Sequence, residues 1–132
     1  MRYLLDTNIL SDLIRNPQGP AAMRQAAVGA DAVCTSVIVA AELRFGAAKR
    51  GSPILTAKVE ALLDATIVLS LEPPIDETYA HIRRGLELAG TPISANDLLI
   101  GAQAVTVGCI LVTGNEREFA RVPGLMIENW LR

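Results

Sequence analysis

Three acidic side chains of this sequence stand where carboxylates could act together. Asp6 ends the apolar run YLL and is followed by Thr7 and Asn8. Glu42 lies within the apolar stretch VIVAAELRFG, and Asp97 lies within PISANDLLIGA. Two carboxylates about 4 Å apart repel each other by about 4 kcal/mol at an effective dielectric of about 20, so a cluster of three is stable only around a cation.

A hard divalent cation is the ion that these side chains would bind. Oxygen ligands without His or Cys suit Mg²⁺ or Mn²⁺. Such an ion keeps some of its waters, orients one of them for attack and neutralises charge on a phosphate. Asp6, Glu42 and Asp97 are therefore predicted metal ligands and catalytic residues for the hydrolysis of a phosphodiester, provided that the fold brings them together.

Each acid also has a simpler structural explanation. Asp is a favoured N-cap, which could account for Asp6. The segment from Ser94 to Asp97 fits a capping box, and the helix dipole favours an acid near a helix start. Glu42 is explained least well in this way, because neither Lys nor Arg stands three or four residues from it to neutralise its charge.

A further polar group follows the apolar run CILVT and consists of Asn115, Glu116 and Glu118. The two glutamates are interpreted as solvated loop charges. Glu118 could reach a site at the end of the preceding strand only if the segment after Asn115 is helical and turns it inward.

The remaining reactive side chains indicate no other chemistry. His81, the only histidine, stands beside Arg83 and Arg84 and is expected at the surface. Cys34 and Cys109 lie in apolar runs and are expected in the core, because they are too few and too far apart for a disulfide framework or a zinc site. The sequence has no G-x-S-x-G, P-loop or G-x-G-x-x-G motif for serine hydrolysis, nucleotide hydrolysis or dinucleotide redox chemistry.

The elements that would position these acids alternate between strands and helices. Short runs rich in Val, Ile and Leu without clear alternation are typical of strands buried on both faces of a parallel sheet. The predicted strands are RYLL (2–5), AVCTS (32–36), TIVLSL (66–71), CILVT (109–113) and, more weakly, LMIENW (125–130). Between them, helical patterns cover 10–14, 20–27, 37–49, 55–63, 75–88 and 98–107.

Strands that alternate with helices predict an α/β fold, in which helices cover both faces of a mainly parallel sheet of four to five strands. In such sheets, ligands bind beyond the carboxyl ends of the strands. The predicted site therefore lies where Asp6 and Asn115 follow their strands, and the helices that carry Glu42 and Asp97 must bring those side chains to the same edge.

The composition bounds the class of protein. A chain of 132 residues fits a single domain (1–132), and an apolar content of 51% excludes a disordered chain. No apolar run is long enough to span a bilayer, which predicts a cytoplasmic protein with no membrane partner. The net charge of −2 gives no global attraction to nucleic acid, so that a nucleic-acid function requires a local basic surface or a bound metal.

Four motifs carry a resemblance to a known family. LLDTNIL, SVIVAAELRFGAAKRG, LAGTPISANDLLIGAQA and LVTGNEREFARVPGL stand in the order and spacing of a PIN-domain protein. More narrowly, essentially the whole chain resembles the VapC-type toxins of bacterial type II toxin–antitoxin systems. The resemblance implies a PIN-like three-layer α/β/α fold and an endoribonuclease that needs Mg²⁺ or Mn²⁺ and cuts single-stranded regions of RNA. It also implies a homodimer and a cognate VapB-type antitoxin that covers the active site.

The resemblance extends to individual residues. Asp6, Glu42 and Asp97 match the acids that surround the metal in the family. Thr7 and Asn8 match the polar pair that supports the first acid.

The fourth acid is where the sequence departs from the family pattern. Many relatives carry Asp just after the fourth strand, whereas this chain has Asn115, with Glu118 one helical turn further on. Whether one or two metal ions bind stays open, as does whether Asn115 or Glu118 takes the place of the fourth acid.

Two other functions are compatible with parts of this pattern. One is a non-catalytic binding module on the PIN fold, although the three acids are intact. The other is a receiver-like domain that accepts a phosphoryl group, since such domains also gather acids and Mg²⁺ at strand ends. Receiver-like domains carry paired acids early in the chain and a Lys after a late strand, whereas here a single Asp6 and the segment 113–115 occupy those places.

Overall fold

A computed structural model describes residues 2–132 and shows one parallel sheet covered by helices. The strands are β1 (Tyr3–Leu5), β2 (Val33–Ser36), β3 (Ile67–Leu69), β4 (Ile110–Val112) and β5 (Ile127–Glu128). Their order in the sheet is β3-β2-β1-β4-β5, and every pair of neighbours is parallel. The fold class predicted from the sequence is confirmed, including the three-layer α/β arrangement and a sheet at the upper end of the expected size.

Within residues 2–132, seven helices lie between the strands, and all but the last lie where the sequence periodicity predicts them, with slightly extended ends. They are α1 (Thr7–Arg15), α2 (Pro20–Val28), α3 (Val37–Arg50), α4 (Pro53–Asp64), α5 (Ile75–Leu88), α6 (Ala95–Val107) and α7 (Glu116–Phe119). A 3-10 turn, Ala30–Ala32, precedes β2. Proline occupies the first turn of α2 and of α4, where its missing N–H costs nothing. Among residues 2–132, no helix is both long and apolar enough to cross a membrane.

The register of the central strands sets the position of the site. Leu5, the last residue of β1, pairs with Thr35 in β2 and with Val112 in β4. The chain therefore leaves these three strands at one edge of the sheet, and Asp6 and Thr113 emerge side by side. The core beneath this edge is mainly aliphatic, and it includes Leu4, Leu5, Ile9, Leu10, Ile100 and Leu111, all fully buried.

Two details of the sequence interpretation are wrong. The strands are not all buried on both faces, since Ile67 and Val68 of β3 are exposed. The reason is that β3 stands at the edge of the sheet. The capping box at Ser94 is not formed either, because the Ser94 side chain accepts no hydrogen bond from the start of α6.

The predictions for the single histidine and the two cysteines are confirmed. His81 is exposed on α5, whereas Cys34 and Cys109 are free and buried. Burial raises the pKa of the Cys34 thiol to about 12, so that it stays protonated at neutral pH. Both cysteines are therefore small core residues.

A candidate metal centre at the carboxyl edge of the sheet

Asp6 caps α1 and also lines the pocket at the sheet edge. Its Oδ1 accepts a hydrogen bond from the Thr7 backbone N–H at 2.8 Å, and its Oδ2 accepts one from the Thr113 hydroxyl at 2.8 Å. The side chain is buried. Burial raises the pKa of Asp6, and the nearby charge of Glu42 raises it further, while the hydrogen bonds from Thr113 and Thr7 lower it. The helix cap and the predicted site role therefore coexist in one carboxylate.

Glu42 is connected to Asp6 through Thr7, the residue that follows Asp6. The Thr7 hydroxyl donates a hydrogen bond of 2.6 Å to Glu42 Oε1. Glu42 is half-buried in the middle of α3, and it forms no ion pair with any Lys or Arg among residues 2–132. A partly desolvated carboxylate that one neutral hydroxyl stabilises is well suited to receive a cation.

Asn8 holds the opposite wall of the pocket. Its side-chain Oδ1 accepts a hydrogen bond of 3.0 Å from the Gly114 backbone N–H, which ties the start of α1 to the loop after β4. The Thr113 hydroxyl, which donates to Asp6, also accepts a hydrogen bond of 2.9 Å from the Asn115 backbone N–H. Thr113 is fully buried and was missed by the sequence analysis. Its signal was a hydroxyl at the end of an apolar strand, in register with Asp6.

Asp97 and Glu118 meet through Asn115. The Asn115 Nδ2 group donates to Glu118 Oε2 at 2.9 Å and lies 3.4 Å from Asp97 Oδ2. The segment after Asn115 is helical, as the inward placement of Glu118 requires. Neither glutamate of α7 is the free loop charge that the sequence suggested, because Glu116 accepts hydrogen bonds from Asn129 and Arg132.

The two acids on either side of Asn115 differ in their affinity for a proton. Burial raises the pKa of Asp97 to about 6, and the neighbouring Glu118 and the charge of Asp6 raise it further. The hydrogen bond from Asn115 and the neighbouring Asp97 lower the pKa of Glu118. Asp97 therefore has the higher affinity for a proton, because it is the more buried of the two.

The site residues surround an open pocket of about 330 Å³. Its lining consists of Asp6, Thr7, Asn8, Ser11, Arg15, Glu42, Asp97 and Asn115. Glu118 is outside this lining and reaches the pocket through Asn115. Ser11 and Arg15 were not predicted. They follow Thr7 at intervals of four residues on α1, so helical spacing from Thr7 could have identified them.

The donor atoms of the pocket fit a hard divalent cation. They are carboxylate, amide and hydroxyl oxygens, the ligands that Mg²⁺ and Mn²⁺ prefer. Within residues 2–132, however, no three or more Asp, Glu, His or Cys side chains are drawn close enough to hold one ion together. Mg²⁺ usually takes only one or two carboxylates and keeps several waters, so a looser ring of acids still fits this ion.

The family to which this fold and its pocket belong follows from comparison with known proteins. The PIN domain model matches residues 3–125. The chain belongs to the PIN-domain family. This PIN domain is 35% identical to the ribonuclease VapC2 of Haemophilus influenzae, over 99% of both chains. It is 33% identical to the tRNA(fMet)-specific endonuclease VapC of Salmonella typhimurium, over 98% of both chains.

Solved structures that resemble this chain include VapBC complexes. A DNA-bound VapBC complex from Salmonella typhimurium contains a chain that matches this PIN domain with a TM-score of 0.92 and 33% identity, over 98% of both chains. A VapBC2 complex from Rickettsia felis, bound to a fragment of its promoter DNA, matches with a TM-score of 0.90 and 31% identity, over 98% of this chain and 99% of the other. The resemblance found in the sequence is confirmed, and this PIN domain belongs to the VapC ribonucleases.

Proposed function

We propose that this PIN domain is a toxin that cuts single-stranded regions of RNA with the help of Mg²⁺ or Mn²⁺. Ribonuclease activity follows from membership of the VapC ribonucleases. The observation that carries the metal dependence is the convergence of Asp6, Glu42 and Asp97 on one pocket. Desolvation raises the pKa of both aspartates, which is the state expected of carboxylates that await a cation.

The proposed roles of the residues follow from their contacts. Asp6, Glu42 and Asp97 would hold the metal, which supplies an activated water and neutralises charge on the phosphate. Thr113 fixes one oxygen of Asp6, and Thr7 fixes one oxygen of Glu42. These hydroxyls keep the carboxylates from turning away from the pocket, in the way that outer hydrogen bonds orient ligands in other metal sites.

A cation of the protein itself lies beside these acids. Arg15 lines the same pocket and forms no ion pair with any Asp or Glu among residues 2–132. Its guanidinium can therefore bind a phosphate of the RNA strand in a bidentate manner. Because the net charge of the chain is −2, this local cation and the bound metal must supply the attraction for RNA.

A VapB-type antitoxin is the partner that we assign to this chain. The support is the close similarity of the whole fold to chains in VapBC complexes. By analogy, the antitoxin would neutralise the ribonuclease by covering the pocket. A homodimer and a cytoplasmic location stay predictions of the sequence.

The most direct test is expression of the chain from an inducible promoter, with and without the neighbouring open reading frame. We expect growth arrest and new RNA 5′ ends when the chain is expressed alone, and neither when the neighbouring protein is present. Asp6→Asn is the matched control, because it keeps the size and most of the capping capacity of the side chain. Identical 5′ ends in the wild type and in Asp6→Asn would overturn the proposal.

A non-catalytic PIN module is the remaining alternative. The neutral Asn115 is the observation that favours it, whereas the three intact acids that line the pocket argue against it. Titration of the purified chain with Mg²⁺, followed by an RNA cleavage assay, separates the two functions. The receiver-like alternative is wrong, because the chain belongs to the PIN-domain family.

A further inference from the structure

The helix that carries Glu118 is too short to hold its own position. Helix α7 has only four residues, Glu116–Phe119, and a single helical turn is unstable in isolation because its nucleation is unfavourable. Phe119 anchors the helix to the core, since it is fully buried and its ring lies next to Gly101 of α6. Other contacts must fix the start of the helix, where the chain leaves Asn115.

Those contacts come from the C-terminal clasp, a name we give to residues 128–132. The Thr113 backbone N–H donates to the Glu128 carbonyl at 2.9 Å. The Asn129 side chain donates to Glu116 Oε2 at 3.0 Å, and Arg132 donates to the same oxygen. The clasp therefore holds both the strand end before Asn115 and the first residue of α7 after it.

An apolar contact closes the clasp over the loop between those two points. A Cβ atom built on Gly114 would lie 2.8 Å from Leu131 Cδ1, closer than side-chain carbons approach. Leu131 thus lies directly against the backbone at Gly114. The Gly114 backbone N–H also donates to Asn8, a predicted site residue in the pocket wall. The clasp therefore contacts the loop that holds this wall.

The clasp is itself anchored in the body of the domain. Trp130 is fully buried, and its ring lies 5.2 Å from the ring of Tyr3 in β1. Its indole N–H donates to Glu128 Oε1 at 3.0 Å. Arg24 of α2 pairs with Glu128 and lies over the Trp130 ring, 5.6 Å from its centroid. The clasp therefore fixes the position of the loop after β4 relative to β1, the central strand of the sheet.

We propose that the C-terminal clasp is a positioning device for the Asn115–Glu118 side of the metal pocket, acting through Glu116. This inference rests on the proposed function. The residues of the clasp lie outside the pocket lining and do not touch the predicted metal ligands. Loss of the clasp should let Glu118 and Asn115 move, which weakens metal binding without removing any ligand.

The contact chosen for the test has little influence on folding. Both partners of the Glu116–Arg132 pair are substantially exposed, and exposed ion pairs contribute little to stability. A merely structural staple would therefore leave metal affinity unchanged when it is removed. A positioning device would change metal affinity while the metal-free protein melts as before.

The experiment compares Glu116→Ala with Arg117→Ala, a neighbouring exposed residue of the same helix. Mg²⁺ binding is followed by calorimetry and by the fluorescence of Trp130, the only tryptophan of the chain, which lies within the clasp. Removal of a residue that hydrogen-bonds to a metal ligand lowers metal affinity by about 10- to 100-fold. Glu116 is one contact further from the metal than such a residue, so we expect Glu116→Ala to lower Mg²⁺ affinity by roughly 3- to 10-fold. Arg117→Ala should bind Mg²⁺ as the wild type does.

A charge exchange provides the second arm. Glu116→Arg together with Arg132→Glu restores the ion pair with reversed polarity and should recover part of the lost affinity relative to Glu116→Arg alone. If the wild type binds Mg²⁺ and cleaves RNA while Glu116→Ala binds Mg²⁺ equally well, the clasp proposal is overturned and the proposed function stands. If the wild type neither binds Mg²⁺ nor cleaves RNA, both proposals fail.

Discussion

The Thr7 hydroxyl donates a hydrogen bond of 2.6 Å to Glu42 Oε1 and so joins the start of α1 to the middle of α3. Thr7 also donates its backbone N–H to Asp6. One residue therefore orients two of the three predicted metal ligands. The presence of Thr7 directly after Asp6 is thus explained physically, because its side chain reaches from α1 across to α3.

Thr7→Val should lower RNA cleavage by roughly 10- to 100-fold, because it keeps the shape of the side chain but leaves Glu42 free to turn away from the pocket. Thr7→Ser is the matched control and should retain most of the activity, since it keeps the hydroxyl. Cleavage rates with saturating Mg²⁺ measure both. Equal rates for the wild type and Thr7→Val would show that the hydrogen bond does not orient a ligand.

Asp97→Asn should abolish cleavage while the fold survives. The substitution is nearly isosteric, yet it removes a charge that the metal needs. Without metal, the variant should melt at the same temperature as the wild type or higher, because repulsion from Asp6 and Glu118 is relieved. RNA cleavage with Mg²⁺ and thermal melting with EDTA test the two statements separately. A variant that cleaves at the wild-type rate would contradict the site assignment.

The pH dependence of that melting difference has a defined sign. The pKa of Asp97 is raised from 3.8 to about 6, so the folded state binds more protons there than the unfolded state does. The contribution of Asp97 to stability is therefore greatest below pH 4 and is lost as the pH rises towards 6. The amide introduced by Asp97→Asn does not titrate, so the melting temperature of this variant minus that of the wild type should increase from pH 4 to pH 7. A constant difference over this range would contradict the raised pKa.

The isolated chain should be a dimer at micromolar concentration. Its apolar content of 51% is high, and large apolar side chains remain exposed on α4 and α5. Ile54 on α4 is 72% exposed and Leu88 on α5 is 69% exposed. Light scattering should give twice the chain mass, and Ile54→Asp or Leu88→Asp should reduce it. Met126→Asp, at a site 63% exposed on neither helix, is the matched control.

Arg15→Ala should raise the KM for RNA several-fold and leave kcat nearly unchanged. Arg15 lines the acidic pocket without forming an ion pair with any carboxylate among residues 2–132, so its predicted role is to bind a phosphate rather than to orient a ligand. The salt dependence of KM should weaken in the variant, because one phosphate contact is lost. A fall in kcat at unchanged KM would place Arg15 in the chemical step instead.

The convergence of Asp6, Glu42 and Asp97 could be predicted because it follows from local patterns. An apolar run marks each strand, parallel strands end at one edge, and helical spacing places an acid on a given face. Contacts between distant residues could not be predicted in this way. Thr113 is recognisable only once β4 is known to lie beside β1, and four residues of α7 are too few to show a helical period.

Asn115 is the neutral residue at the fourth position of the site. Asn115 donates to Glu118 at 2.9 Å, so its amide already stabilises an acid at the pocket rim. Asp6, Glu42 and Asp97 supply three negative charges, which suffice for one Mg²⁺ with waters in the remaining positions. We therefore expect a single tight ion in the wild type, with Asn115 acting as a neutral hydrogen-bonding partner.

Two variants test this expectation by calorimetric titration with Mn²⁺. Asn115→Asp should tighten binding or add a second site, because it adds a fourth charge to the pocket. Glu118→Gln should lower activity far less than Asp6→Asn does, because Glu118 lies outside the pocket lining and reaches it through Asn115. Two tight ions in the wild type, one of which is lost in Glu118→Gln, would show instead that Glu118 is the fourth acid. The hydrogen bond from Asn115, which lowers the pKa of Glu118, would then serve to keep that ligand ionised.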